Sequence, residues 1–169
     1  MTRRAVVQKW ILYSLCALAL VLVQSLLLVR VQVWGVHPFL LPAIAVIPVT
    51  LEWDEGALLF SVFFGLACDL LTPVAGLPCF YALAFLVSGG LAWLLSGRVV
   101  AAGLVCSLAA AASALVVCGV LHLAVLAGSQ SVDVMAAAVL AGKEAALSLP
   151  LTVLVHYPFR RICLLTQRD

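Results

Sequence analysis

The groups in this chain that could do acid–base or ion chemistry are few, and each interrupts an apolar run. They are Asp69, Lys143, Glu144, His122 and His156. A charge within an apolar helix is costly unless it faces protein, water or headgroups, so each marks an inward-facing position. Spacing adds to this. Ala57, Ser61, Gly65 and Asp69 recur every four residues, which stacks them on one helix face as a small-residue ridge ending in a carboxylate. Glu144, Ser148, Thr152 and His156 recur in the same way and form a polar seam, with a small ridge of Gly142, Ala146 and Pro150 beside it. Lys143 and Glu144 are neighbours in sequence and point about 100° apart on a helix, so they need not pair.

The chemistry that these groups could support is limited. The chain has no phosphate-binding glycine loop, dinucleotide glycine pattern, H-E-x-x-H or G-x-S-x-G. No nucleophile with a base and donors around it can be named, so no catalytic residue is expected and the chain reads as a non-enzyme. Cys16, Cys68, Cys79, Cys106, Cys118 and Cys163 are scattered, with no C-x-x-C and no histidine at ligand spacing. They read as small hydrophobes, and neither a metal nor a cofactor is expected. A net charge of +2, with no polybasic cluster beyond short flanks, gives no argument for a nucleic-acid partner, and none is expected.

The elements that carry these residues follow from composition. Of 169 residues, 66% are hydrophobic and 9% charged, with a mean hydropathy of +1.28. A soluble domain carries roughly 25% charged residues. The expected fold class is an all-α integral membrane protein, a six-helix transmembrane bundle in one domain spanning residues 1–169. Its helices are expected at about 10–29, 38–51, 56–71, 79–95, 100–126 and 134–157. The first apolar run is too long for a signal-peptide core and reads as a retained span. Gln24 and Ser25 in its outer half suit a helix–helix hydrogen bond.

Gly35 to Pro38 reads as a turn, with Pro38 in the first turn of a short second helix that also holds Pro42 and Pro48. That helix is either a bent span or a partly re-entrant segment. The acidic cluster Glu52-Trp53-Asp54-Glu55 reads as a solvated loop, with a docking contact as the alternative. Thr72-Pro73, Ala75 to Pro78, Ser96 to Arg98 and Gly128 to Asp133 read as further connections. Gly89-Gly90 marks close packing or flexing in helix four. Helix five carries a second small ridge, Cys106, Ala110, Ala114 and Cys118, followed four residues on by His122, which could meet Asp69 near the outer face. With both termini inside, seven of the nine Lys and Arg residues lie on the cytoplasmic side, and only Arg30 and Lys143 do not.

The stretch His37-Pro38-Phe39-Leu40-Leu41, then Glu55-Gly56, Gly65-Leu66-Ala67-Cys68-Asp69-Leu70-Leu71, Gly76-Leu77 and Tyr81 resembles the bacterial rod shape-determining MreD family. That family shows a similar H-P-x-L, then G-x-x-x-G-L-x-x-D-L and a glycine-containing turn. A final helix closing in Tyr157-Pro158-Phe159-Arg160-Arg161 is similar too. The likeness spans residues 37–97 and, loosely, the carboxyl end. Ser61 stands where the family pattern has a glycine-sized residue.

The resemblance implies a non-enzymatic component of the bacterial inner membrane that binds MreC. It would work beside MreB, the RodA glycosyltransferase and its penicillin-binding partner in lateral peptidoglycan synthesis and cell shape. It implies Pro38, Ala57, Ser61, Gly65, Asp69, Gly76 and Tyr81 as partner-binding or packing residues. The family's fold is similar to substrate-binding subunits of energy-coupling-factor transporters, so a small-solute-binding membrane subunit is the alternative. The A-x-x-x-A docking pattern of those subunits is missing, because Val21 and Val23 stand four after Ala17 and Ala19.

Overall fold

A computed structural model describes residues 3–52, 54–72, 79–98, 103–128 and 134–166. Among these residues the chain forms six α-helices and no β-strand: α1 (Arg3–Leu26), α2 (Leu41–Glu52), α3 (Glu55–Leu71), α4 (Phe80–Arg98), α5 (Leu104–Gly128) and α6 (Val134–Thr166). Three helical segments, Val6–Arg30, Leu104–Gly128 and Met135–Thr166, are long and apolar enough to cross a membrane. The expected six spans are therefore met in length and apolarity by three, and α2 and α4 are shorter apolar helices.

The bundle is built around α2. Its 12 residues extend only about 18 Å at 1.5 Å each. Every residue from Leu41 to Thr50 is buried, and α2 packs against all five other helices. A helix that is apolar all round needs each face covered by protein or by lipid, and here the other helices cover all of them. The expected bent or re-entrant span is thus a short central helix enclosed by the rest of the chain.

Its entry differs from expectation in two ways. The turn is centred on Trp34 and Gly35, whose φ angles are +56° and +78°. Val33 and Val36 exchange both backbone hydrogen bonds at 3.1 Å around it. Two consecutive positive φ values are what a tight turn of this hand needs, and Gly35 adopts its share without strain. Pro38 lies three residues before α2, and the first-turn proline is Pro42, where the missing N–H costs nothing. The backbone N–H groups just before the helix are met by side chains from elsewhere. Phe39 N–H donates to Ser148 Oγ of α6 at 2.8 Å, and Leu40 N–H donates to Gln24 Oε1 of α1 at 3.0 Å.

The remaining bounds shift as well. Helix α4 continues through Ser96 to Arg98, where a loop was expected. Helix α6 does not close at Tyr157-Pro158 but runs through Pro158 to Thr166. The residues beyond the proline explain this. Phe159 and Cys163, four apart, are buried, and Phe159 stacks on Tyr13 of α1 with centroids 5.6 Å apart. A helix ending at Pro158 would forfeit both contacts. The expected connections at 73–78 and 129–133, with Gly76 among them, lie outside the described residues.

Large apolar side chains cover much of the outside, including Leu15, Leu18 and Leu22 of α1 and Leu70 and Leu71 of α3. An apolar exterior of this extent suits lipid better than water.

Candidate functional site

The small ridge of α3 faces α4. Ala57, Ser61, Gly65 and Cys68 are the buried residues of α3. A Cβ at Gly65 would stand 2.7 Å from both the Cα of Ala82 and the carbonyl oxygen of Tyr81, so the absence of a side chain is what lets the backbones meet. Ser61 Oγ donates to the Phe85 carbonyl at 3.0 Å, and a Cβ at Gly89 would lie 3.2 Å from that Oγ. Gly90 has open space around its Cα, so of the glycine pair only Gly89 serves close packing.

Asp69 completes the ridge. Its Oδ1 accepts the N–H of Tyr81 at 2.8 Å and its Oδ2 the N–H of Ala82 at 2.9 Å. These are among the first N–H groups of α4, which have no partner within their own helix. Asp69 thus caps α4 from the preceding helix, and a carboxylate at that end also meets the positive end of the helix dipole. The expected contact with His122 does not form: His122 is exposed and packs edge-on against Phe80 at 6.1 Å.

The seam of α6 resolves into two parts. Ser148, Thr152 and His156 are buried, and Glu144 is half-buried. Ser148 Oγ donates to the Glu144 carbonyl at 2.6 Å, and Thr152 Oγ1 to the Ser148 carbonyl at 3.2 Å. His156 Nδ1 lies 3.0 Å from Ser107 Oγ of α5, which lies 3.0 Å from Thr50 Oγ1 of α2. Ser96 Oγ of α4 donates to the Thr50 carbonyl at 3.3 Å. Polar groups from four helices are therefore joined in the interior, where an unmet group would be costly. The expected small ridge of Gly142, Ala146 and Pro150 faces outward, and all three are exposed.

The acidic cluster is where expectation fails most. Glu52 is not in a solvated loop but ends α2, with its carboxylate turned inward. Lys9 Nζ meets Oε2 at 2.7 Å and Tyr13 O–H donates to Oε1 at 2.8 Å. The two charged side chains are only 7% and 8% exposed. Asp54, between α2 and α3, and Glu55, the first residue of α3, are both exposed, and Trp53 lies outside the described residues. No local signal marks this pair; only the packing of α1 on α2 and α6 brings Lys9 to Glu52.

Glu144 opens onto a cavity of about 150 Å³ between α4, α5 and α6, whose walls include Phe39, Phe80, Tyr81, Cys118 and His122. Lys143 is exposed and makes no pair with it. A second opening of about 250 Å³ lies between α1 and α3, lined by Ser14, Leu18, Phe60, Phe63 and Ala67 among others, and it is almost wholly apolar. Between α1 and α3 large side chains make contact, with Trp10 stacking on Phe60 at 5.9 Å and filling the space left by Gly56. No three His, Cys, Asp or Glu side chains among the described residues converge as a metal site.

Pro38, Ala57, Ser61, Gly65, Asp69 and Tyr81 are thus positioned within the bundle, and the buried ridge and seam residues, Ala57, Ser61, Gly65, Ser148, Thr152 and His156, pack against or bond to neighbours in their own chain. The chain matches no protein-family model, no curated protein and no solved structure.

Proposed function

We propose that this chain is a non-enzymatic component of the bacterial inner membrane belonging to the rod-elongation assembly. In this reading it binds MreC and supports lateral peptidoglycan synthesis beside MreB, RodA and the penicillin-binding partner of RodA. The observation that carries the reading is the clasp between α3 and α4. Gly65 and Asp69, the two defining residues of the stretch that resembles MreD, converge on the same two residues of the next helix, Tyr81 and Ala82. The resemblance therefore falls on residues that work together, not on unconnected apolar matches. Because the ridge is spent inside the bundle, a partner's span must use another surface. The apolar opening between α1 and α3 suits one, since its small side chains Ser14 and Ala67 permit close approach.

Co-purification with a single-span MreC tests this. Ser14→Trp and Ala67→Trp should abolish recovery of the partner, whereas Val139→Trp, at an exposed position on α6, should not. Full recovery with both filled-groove variants would overturn the docking assignment, and no recovery with the wild-type chain would overturn the assembly reading.

The second reading, a solute-binding subunit of an energy-coupling-factor-type transporter, is favoured by one observation, the cavity beside Glu144. Co-purification with an energising ATPase module in place of MreC would select it.

A further inference from the structure

Glu144 has a carboxyl group without an internal use. Its carboxylate takes part in no hydrogen bond or ion pair among the described residues, yet it is half-buried at the wall of a cavity. Among the described residues the other two carboxylates turned inward are met: Glu52 by Lys9 and Tyr13, Asp69 by two backbone N–H groups. His37 is the basic group that acts on Glu144 electrostatically; it forms no ion pair with Glu144, its Nε2 lies 3.1 Å from Gln32 Nε2, and its buried Nδ1 has no partner among the described residues. A half-buried carboxylate without a partner, set against a mostly apolar wall, gains from a positive group brought beside it.

The remaining walls specify what kind of positive group. Phe39 and Tyr81 have ring centroids 6.3 Å apart, Phe80 stands edge-on to Tyr81 at 5.3 Å, and His122 lies edge-on to Phe80. Aromatic rings attract cations, and several of them in the wall beside one carboxylate suit an organic ammonium. A bare metal ion would want several converging ligands, whereas Glu144, His122 and Cys118 in this wall do not come together as a metal site among the described residues, and the rest of the wall is mostly apolar. The volume, about 150 Å³, holds a guest of roughly benzene size.

We propose that this cavity binds a small ammonium group, with Glu144 as counter-ion and Phe39, Phe80 and Tyr81 as its aromatic walls. The ammonium arrives as a free amine or as the headgroup of an aminophospholipid. The site rests on neither of the two functional readings above.

Two measurements on the purified full-length chain in nonionic detergent separate the sources. Saturation-transfer NMR with tetramethylammonium reads the free cation. Native mass spectrometry after incubation with phosphatidylethanolamine, phosphatidylcholine or phosphatidylglycerol reads the lipid. Binding of at least one ammonium source should weaken by about tenfold or more in Glu144→Gln, the effect of truncating one side of a desolvated charge pair. Ala145→Leu, which fills the cavity, should weaken it as much, and the exposed Lys143→Gln should leave it unchanged. Transfer to tetramethylammonium without lipid preference assigns a free amine; preference for either ammonium lipid over phosphatidylglycerol assigns the headgroup. Thermal melting of Glu144→Gln, an isosteric change, distinguishes lost binding from lost fold, with Ala145→Leu as the independent check. The proposal is overturned if no ammonium source binds, if the three lipids are retained equally with no transfer to tetramethylammonium, or if Glu144→Gln binds like the wild type.

Discussion

Lys9 and Glu52 stand 43 residues apart in the chain and meet at 2.7 Å in a pair almost closed to solvent. The pair ties the start of α1 to the end of the central helix, and Tyr13 holds the second carboxylate oxygen. Removing one charge leaves the other buried and unmet, a loss of about 3–5 kcal/mol. Lys9→Met and Glu52→Leu should each destabilise the protein by this order in equilibrium unfolding in detergent, and the double variant should lose less than the two singles together. Strict additivity would show that the two charges do not act on each other.

Asp69 satisfies two N–H groups at once, so its variants should fall in a definite order. Asp69→Leu leaves both donors unmet, at about 1–3 kcal/mol each. Asp69→Asn retains one acceptor oxygen but turns an amide N–H towards the second donor, and should lie between wild type and Leu. Thermal unfolding in detergent checks the order; wild-type stability in Asp69→Leu would remove its capping role.

Gly65 and Gly90 are both helical glycines, and alanine should affect them oppositely. At Gly65 the new Cβ meets backbone at 2.7 Å, which cannot move aside as a flexible side chain can, and overpacking of this kind costs about 1–3 kcal/mol. At Gly90 nothing lies within 4 Å, and Ala should stabilise by about 0.5–1 kcal/mol through helix propensity. The sign difference is read by unfolding of the two variants side by side, and equal losses would refute the close approach of α3 to α4.

Ser107 joins His156 to Thr50, whereas among the described residues Ser113 on the same helix bonds to the Ala110 carbonyl of its own helix. Ser107→Ala should therefore cost about 1–3 kcal/mol, the penalty for buried partners left unmet. Ser113→Ala should be close to neutral. Matching unfolding midpoints for the two would show that the His156–Ser107–Thr50 chain adds nothing.

The distribution of basic residues predicts that both termini lie in the cytoplasm. Asp54, exposed between α2 and α3, should share their side, and Trp34, exposed at the tip of the α1–α2 turn, should lie opposite. Labelling of single cysteines at Asp54 and Trp34 in intact cells reads this directly. Labelling of both from outside would rule out the arrangement.

What the amino-acid sequence determined by itself is whatever depends on helical period. The period places Ala57, Ser61, Gly65 and Asp69 on one face, and Ser148, Thr152 and His156 on another, without knowledge of any neighbour. Composition likewise dictates an all-helical, apolar chain. Only the tertiary structure decided what each face meets. That Asp69 caps α4, that Glu52 is buried against Lys9, that α2 is enclosed and that Glu144 opens onto a cavity all depend on how rigid helices pack. The same packing carries α6 past Pro158, where local proline chemistry alone predicts an end. Helical period relates residues three and four apart; contacts across 43 or 49 residues arise from the packing of whole faces, to which each local segment contributes only a part.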